Sequence, residues 1–163
     1  MEISFLPIQK SNLNQVVSIY NYYVKHSTAT FHLHEVDEIE MEQMLYVNHL
    51  IYKSYVILSD CETIGFCYIS PFRKKEAYDI SAEVTLYLKS DFTGKNTGKT
   101  VLDFMEKCAK EQGIKNLIAV ITAENKESIK LFEKCGYFKC GHLKNIGVKF
   151  GRTLDVLTYQ KEL

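Results

Sequence analysis

Polar and apolar side chains alternate along residues 80–88, and this pattern predicts a β-strand. Apolar side chains then recur at helical spacing over residues 98–112, so a helix is predicted there, with Gly113 just past its end. A further apolar run at residues 117–122 predicts a second strand. Strand, helix and strand in this order form a crossover unit, which almost always winds right-handed and places its two strands parallel.

The remaining apolar patterns predict elements on either side of this unit. Two helices and an antiparallel hairpin are expected before it, and a short helix and two strands after it. The predicted segments are a helix after Ser11 or Asn12, a helix over 38–50, hairpin strands over 55–58 and 63–69, a helix over 126–134 ended by Gly136, and strands near 137–142 and 154–160. This order predicts a mixed sheet in an α/β (α+β) sandwich.

The loop before the helix at 98–112 is a candidate binding site for an anion. It consists of Thr93, Gly94, Lys95, Asn96, Thr97 and Gly98. Free backbone N–H groups and the positive end of the helix dipole favour a phosphate or pyrophosphate at such a position, and glycine lets the main chain approach it. The alternative is that these glycines serve only to turn the chain.

The sequence Gly98-Lys99-Thr100 is similar to the end of a nucleotide-binding P-loop. The glycine that this motif needs five positions before Gly98 is replaced by Thr93. The second strand of the crossover unit also lacks a terminal aspartate, which a triphosphatase needs to hold magnesium. A nucleoside triphosphate site is therefore the weaker alternative, and it stays open here.

Composition limits the partners of the chain. With 163 residues, 46% of them hydrophobic, residues 1–163 are expected to fold as a single domain. Twenty basic residues balance twenty acidic ones, which gives no reason to expect nucleic acid or an anionic membrane as partner. The start of the chain lacks the pattern of a signal peptide and no apolar segment approaches membrane-spanning length, so a cytoplasmic location and a small ligand are expected.

Cysteine and histidine residues give no recognisable metal motif. The cysteines are Cys61, Cys67, Cys108, Cys135 and Cys140. None of them forms a C-x-x-C pair, so reduced thiols are expected in place of disulfides or a zinc site. His32 and His34 can share one face of an extended segment, but no third ligand follows at a suitable spacing, and no metal is expected.

The order of the predicted elements resembles the GNAT superfamily of N-acetyltransferases over almost the whole chain. Several motifs narrow the resemblance to the phosphinothricin and L-amino-acid N-acetyltransferase branch. They are Ile19-Tyr20-Asn21, Thr28-Ala29-Thr30-Phe31, Ala77-Tyr78, the strand from Glu83 to Leu88, Ala119-Val120-Ile121 and the tail from Gly147 to Val156. The resemblance implies a mostly antiparallel central sheet flanked by helices, with one splayed parallel strand pair.

The resemblance also implies the reaction and the residues that perform it. The reaction is transfer of an acetyl group from acetyl-CoA to the primary amine of a small molecule, an amino acid or an analogue such as phosphinothricin, methionine sulfone or methionine sulfoximine. Glu83 is implied as the base that accepts the amine proton through water, although strand alternation alone leaves a solvent-facing glutamate equally open. The implied cofactor-binding groups are the main chain of Leu86, Tyr87 and Leu88, the loop from Thr93 to Gly98, and Asn125, which is also a candidate helix N-cap. The residues implied to line or frame the acceptor pocket are Phe31, Tyr78, Lys149 and Phe150. A homodimer is implied as well.

Three positions depart from the family pattern. Thr93 stands where the family loop has glutamine or arginine, and Asn96 stands at a glycine position, where asparagine tolerates the left-handed conformation. Phe132 stands where many members have tyrosine. Because Phe132 cannot donate a proton, water is the expected proton source for the departing thiolate. These departures keep open a sensor that binds acyl-CoA without turnover.

Overall fold

The computed structural model describes residues 2–163 and builds from them one seven-stranded sheet with helices on both faces. The strands are β1 (Ile3–Pro7), β2 (Ser54–Ser59), β3 (Glu62–Pro71), β4 (Ser81–Leu88), β5 (Asn116–Thr122), β6 (Phe138–Lys149) and β7 (Arg152–Glu162). The α-helices are α1 (Leu13–His26), α2 (Glu38–Leu45), α3 (Thr97–Glu111) and α4 (Lys126–Lys134). Met1, the first residue of the predicted domain, lies outside the described residues.

The strand order is β1-β2-β3-β4-β5-β7-β6. Within residues 2–163, β4 and β5 are the parallel pair, and every other neighbouring pair is antiparallel. This arrangement confirms the predicted mixed, mostly antiparallel sheet and the crossover unit at its centre.

Each face of the sheet carries its own buried apolar cluster. Because successive strand residues point to opposite faces, Phe66 of β3 packs on one side and its neighbour Cys67 on the other. The Cys67 side is covered by α3 and α4, and the Phe66 side by α1 and α2. Helix α3 buries the stripe Val101, Leu102, Met105, Cys108 and Ala109, which is the helical spacing seen in the sequence.

The parallel pair is short. Strands β4 and β5 are paired only from Ser81 opposite Asn116 to Glu83 opposite Ile118. Beyond Glu83, β4 stays paired with β3, and β5 stays paired with β7 up to Thr122. The two central strands therefore diverge, which confirms the expected splayed pair and leaves a V-shaped gap in the sheet.

The predicted bounds of four elements are accurate to one residue. The observed elements β4, α3, β5 and α4 match the segments predicted at 80–88, 98–112, 117–122 and 126–134. Gly113 and Gly136 have φ of +82° and +86° just after α3 and α4, as residues that end helices do.

Three other predictions are corrected. The helix predicted over 38–50 ends at Leu45, because Tyr46 adopts the left-handed conformation with φ of 51°. Strand β1 was not predicted, and the late strands extend beyond 137–142 and 154–160 into a long hairpin. None of the helices in the described part of the chain has the length and apolar character needed to cross a membrane.

Candidate active site

The gap between β4 and β5 opens into a cavity of about 440 Å³. It extends from Val84, which follows the last β4 residue that is paired with β5, to the N-terminus of α3. The walls are formed by Val84, Leu86 and Leu88 of β4, Ala119 and Ile121 of β5, Thr93, Gly94, Asn96 and Gly98 of the predicted anion loop, and Asn125, Ser128 and Phe132 at and within α4. The cavity thus joins most of the predicted cofactor-binding residues.

Strand β4 presents unpaired main-chain groups to this cavity. The Lys89 N–H donates to the Ile64 carbonyl across the β3–β4 pair, at 2.7 Å. Because main-chain groups alternate in direction along a strand, those of Val84, Leu86 and Leu88 point away from β3 and into the gap, where the Leu88 carbonyl already accepts from Tyr23. An extended molecule with amide groups can take the place of the missing strand neighbour.

Tyr87 also lines the cavity, but the same alternation turns its main-chain N–H and carbonyl to β3, which corrects the expected pairing through its main chain. The Tyr87 side chain lies under α1, where its hydroxyl donates to the Ala29 carbonyl at 3.3 Å. Tyr23 of α1 also reaches the cavity, and its hydroxyl donates to the Leu88 carbonyl. Sequence reasoning missed Tyr23 because its partner is 65 residues away.

The N-terminus of α3 is shaped to accept an anion. Gly94 and Asn96 have φ of +71° and +62°, so Asn96 adopts the left-handed conformation expected of it. The first helical bond is from the Thr100 N–H to the Asn96 carbonyl, which leaves the N–H groups of residues 97–99 without helical partners. The Asn96 side chain does not cap the helix and instead accepts from Lys134 Nζ at 3.0 Å. These free donors suit a phosphate group.

Gly98 has a packing role in addition to the predicted approach to a ligand. A Cβ at this position would lie 2.7 Å from a Leu131 methyl carbon of α4, which is closer than real Cβ contacts. The other two loop residues, Lys95 and Thr97, do not line the cavity. The Lys95 side chain is exposed over the Phe92 ring, and the Thr97 side chain is 2% exposed and lies outside the cavity wall.

Glu83 lies at the vertex of the V. Its neighbours Ala82 and Val84 point into the cluster under α3 and α4, so the Glu83 carboxyl points to the opposite face. Burial raises the pKa of Glu83 above its ordinary value, and the positive charge of Arg73 partly offsets this effect. The raised pKa makes the Glu83 carboxylate a stronger base than that of an exposed glutamate.

Arg73 belongs to a small cluster beside Glu83, just after the end of β3. Its guanidinium lies 4.4 Å from the centre of the Phe72 ring, and the Phe72 ring contacts that of Tyr78 edge to face at 5.7 Å. Tyr78, a predicted acceptor residue, is 42% exposed. In the sequence, Arg73 stands in a basic triplet with Lys74 and Lys75, whereas no motif marks Phe72.

The other predicted acceptor residues lie at the β6–β7 turn and the segment after α1. The Phe31 ring packs against Gly147 so closely that a Cβ there would overlap it. Phe150 is 55% exposed and has φ of +53°. Lys149 is corrected: its side chain is 3% exposed, and its ammonium donates to the main-chain carbonyls of Ser27 and Thr30 in place of lining an open pocket.

Asn125, just before α4, and Phe132, within α4, complete the wall of the cavity. The Asn125 side chain accepts from the Ser128 N–H at 3.2 Å, which confirms it as the N-cap, and it faces the cavity at the same time. Phe132 is 4% exposed, lines the cavity and packs edge to face on Tyr137. No hydroxyl is available at this position to protonate a leaving group.

Side chains that could bind a metal ion are not clustered in the described part of the chain. Residues 2–163 hold no cluster of three or more histidine, cysteine or acidic residues that is close enough to bind an ion. His32, one of the two candidates, places Nδ1 at 2.6 Å from the Tyr20 hydroxyl.

A splayed strand pair with free main-chain groups, an uncapped helix N-terminus and a half-buried carboxyl at the vertex define the site of an acyl-CoA-dependent transferase. The main-chain groups fit the amides of a pantetheine arm, and the helix N-terminus fits a pyrophosphate. In agreement, the family model described as acetyltransferase (GNAT) domain matches residues 7–158. The chain belongs to this family and is an acetyl-CoA-dependent N-acetyltransferase.

Known relatives cover most of the chain. The L-methionine sulfoximine/L-methionine sulfone acetyltransferase of Pseudomonas aeruginosa is 27% identical over 155 residues, which are 94% of this chain and 90% of that protein. The crystal structure of a GNAT superfamily phosphinothricin acetyltransferase from Sinorhizobium meliloti in complex with AcCoA is 29% identical, with a TM-score of 0.93 over 100% of this chain and 89% of that one. A ribosomal-protein-alanine N-acetyltransferase from Brucella melitensis is 32% identical, with a TM-score of 0.92 over 98% and 99% of the two chains.

Proposed function

We propose that the chain acetylates the primary amine of an amino acid or a small amino-acid analogue, with Glu83 as the general base. The observation that carries this proposal is the half-buried Glu83 carboxyl at the vertex of the V, with the Arg73 cation beside it. An amine and a carboxylate on the same small acceptor would match this pair of charges.

The donor would be bound mainly by main chain. In this proposal the main-chain groups of Val84 and Leu86 and the N–H of Leu88 pair with the pantetheine amides, since the Leu88 carbonyl is bonded to Tyr23. The N–H groups from Thr93 to Gly98 hold the pyrophosphate. Asn125 adds a side-chain contact at the cavity wall. Acetyl-CoA supplies an acetyl group activated as a thioester.

The base is needed because a protonated amine has no lone pair with which to attack. Glu83 would take the amine proton through water and hold it away from the reacting nitrogen. Burial raises its pKa, which makes it a stronger base than an exposed glutamate, and the positive charge of Arg73 acts in the opposite direction. Water would return a proton to the thiolate, since Phe132 cannot.

The acceptor class is supported by charge and by the relatives. Arg73 provides a cation near Glu83 that suits an acceptor carboxylate, while Phe31, Tyr78 and Phe150 frame the acceptor with aromatic surface. Two of the relatives named above are enzymes that acetylate amino-acid analogues. A polyamine or aminoglycoside would favour an acidic cleft, whereas the basic triplet 73–75 leads into β4.

A turnover screen tests the acceptor class. Purified protein is given acetyl-CoA and a panel of methionine sulfone, methionine sulfoximine, phosphinothricin, spermidine, kanamycin and a peptide that begins with alanine, and released thiol is measured. We expect the highest kcat/KM on one of the first three. A higher kcat/KM on spermidine, kanamycin or the peptide than on every α-amino acid would contradict the proposal while leaving acetyl transfer intact.

We further propose a single-domain, cytoplasmic homodimer. One sheet that runs from Ile3 to Glu162 supports the single domain, and five free cysteines, of which Cys61 and Cys140 are exposed, support a reducing compartment. Strand β6 exposes more than half of the side chains of Leu143, Ile146 and Val148, an apolar surface that a second copy would cover. Light scattering coupled to size-exclusion chromatography measures the mass, and a monomer at micromolar concentration would contradict the dimer.

A further inference from the structure

The segment of residues 27–31, between α1 and α2, spans the diverging ends of the two central strands. Thr122, the last residue of β5, donates to the Thr28 carbonyl at 2.5 Å. Tyr87, near the end of β4, donates to the Ala29 carbonyl at 3.3 Å. Ala29 itself lines the cavity. The position of this segment therefore sets the shape of the cavity where β4 and β5 open.

The β6–β7 hairpin holds the same segment through a buried lysine. Lys149 Nζ donates to the Ser27 carbonyl at 2.7 Å and to the Thr30 carbonyl at 2.8 Å, which brackets the segment from both ends. The Phe150 ring lies 5.1 Å from the same nitrogen. A buried ammonium is costly unless its protons are bonded, so these contacts fix the segment relative to the hairpin. They also leave the lysine little freedom to reach an acceptor.

A second set of contacts to the 27–31 segment involves Glu124, just after β5. Arg152, at the start of β7, binds the Glu124 carboxylate with two nitrogens at 2.5 and 2.8 Å. The same carboxylate accepts from the Thr28 hydroxyl at 2.6 Å. Bidentate pairs of this kind have a defined geometry, so Arg152 orients the carboxylate and the carboxylate orients Thr28. Hydrogen bonds from Arg152 and Thr28, together with the charge of Arg152, lower the pKa of Glu124 to about 2, so these contacts persist across the neutral range.

We propose that Lys149 and Arg152 are positioning residues, which hold the 27–31 segment across the open ends of β4 and β5 and so shape the cavity there without touching the acceptor. Gly147 serves the same purpose, because only a residue without a Cβ leaves room for the Phe31 ring. The tail from Gly147 to Arg152 thus acts on the site through the 27–31 segment. The part of this inference that concerns the acceptor rests on the proposed function, whereas the part that concerns the segment does not.

Hydrogen exchange tests the positioning without any knowledge of the acceptor. Lys149→Met removes both donated bonds at nearly constant volume, and Lys139→Met, at an exposed lysine of the same strand, is the matched control. We expect peptides covering residues 27–32 to exchange faster by on the order of tenfold or more in Lys149→Met, with α3 peptides unchanged and no effect in Lys139→Met. Unchanged exchange over residues 27–32 would overturn the proposal.

Variants of Arg152, which orients Thr28 through Glu124, still test the proposal if Lys149→Met fails to fold. Arg152 is half-exposed, so Arg152→Ala should fold and should also speed exchange over residues 27–32. Arg152→Lys keeps the charge but loses the bidentate geometry, and an intermediate effect is expected. Protection equal to wild type in Arg152→Ala would count against the role of this residue.

Kinetics separate positioning from direct contact. Methionine sulfone and the corresponding amine without a carboxylate are compared as acceptors for wild type and Lys149→Met. If Lys149 acts through the segment, kcat/KM falls by the same factor for both acceptors; a fall confined to the carboxylate-bearing acceptor would show direct binding and overturn the inference. Absence of wild-type turnover on any amine would refute the proposed function, and hydrogen exchange would still decide the positioning.

Discussion

The role proposed for Glu83 depends on the residues around it. The same side chain on a fully paired, solvent-facing strand would keep an ordinary pKa, but here the strands separate immediately after it and burial raises the pKa. Arg73 acts in the opposite direction. The carboxyl is ionised above its raised pKa and protonated below it, so activity that needs the carboxylate is lost as the pH falls through that value.

Replacement of Glu83, the proposed base, gives a direct prediction. Glu83→Gln should lower kcat by about 10²-fold or more, because a positioned general base contributes on this order. The loss of activity at low pH that reflects protonation of Glu83 should disappear, and the activity of the variant should instead rise toward high pH, where the amine is free without help. Steady-state rates against pH measure both effects. Wild-type kcat in the variant at neutral pH would remove Glu83 from the mechanism.

Gly98 illustrates a residue with two reasons for its identity. The sequence suggested only close approach of the main chain to a ligand, whereas the structure adds the Leu131 methyl groups, which occupy the space a Cβ would need. The two reasons affect different measurements, since packing changes the free energy of unfolding and ligand approach changes the affinity for acetyl-CoA.

A double-mutant cycle separates these two roles. Gly98→Ala should destabilise the wild type by about 1–3 kcal/mol through overpacking, and this cost should largely vanish in a Leu131→Ala background. The affinity for acetyl-CoA should remain reduced in both backgrounds if the ligand also needs the space. Denaturant unfolding and calorimetric titration give the two quantities. The same unfolding cost in both backgrounds would show that Leu131 is not the constraint.

At the scale of elements, the predicted bounds were most accurate where the hydrophobic periodicity of one helix or strand continues without interruption. Strand β4 and helices α3 and α4 have clear periodicity and glycines just past the helices, so their bounds were found to within one residue. The end of α2 depends on the left-handed Tyr46, which has no glycine to mark it. Strand β1 has only five residues and lies at the edge of the sheet, so its pattern is too short to recognise.

Strand β6 was predicted too short because a bulge interrupts its alternation. Its register against β7 shifts between Leu143 and Gly147, and Asn145 inside this bulge has φ of +51°. The bulge is held by Asp155 of β7, whose carboxylate accepts from the Asn145 N–H at 2.8 Å and lies 2.7 Å from His142 Nε2. These two contacts lower the pKa of Asp155.

The lowered pKa makes the contribution of this bulge depend on pH. A depressed carboxyl pKa stabilises the fold above the unfolded value of about 3.9, and this stabilisation is lost as the pH falls through the folded value. Asp155→Asn should therefore lower the unfolding midpoint at neutral pH, and the difference from wild type should shrink below about pH 4. Denaturant midpoints against pH provide the measurement. Asp91→Asn, at an exposed aspartate, is the control, and an equal difference at all pH values for Asp155→Asn would contradict the role of its charge.

At the scale of the whole molecule, the site is assembled from distant parts of the chain. Lys149 and Ser27 are 122 residues apart, and Thr28 and Glu124 are 96 apart. Periodicity and motif spacing report local structure, so the sequence could indicate Glu83 and the loop at 93–98 but not these contacts. The resemblance placed Lys149 at the acceptor, but its side chain is directed to main-chain carbonyls.

Binding of the donor should be visible in the stability of the whole molecule. A ligand that binds only the native state at one hundred times its dissociation constant adds about 2.7 kcal/mol to the free energy of unfolding. For a chain of this size the midpoint of thermal unfolding should rise by roughly 5–11 °C with acetyl-CoA, less with CoA, and not with ATP and magnesium. Glu83→Gln should show the same rise, because the proposed donor contacts are main-chain groups of β4 and the loop before α3. Stabilisation by ATP and magnesium without stabilisation by acetyl-CoA would contradict the assignment of the cavity, and loss of the acetyl-CoA effect in Glu83→Gln would show that this residue supports donor binding as well as proton transfer.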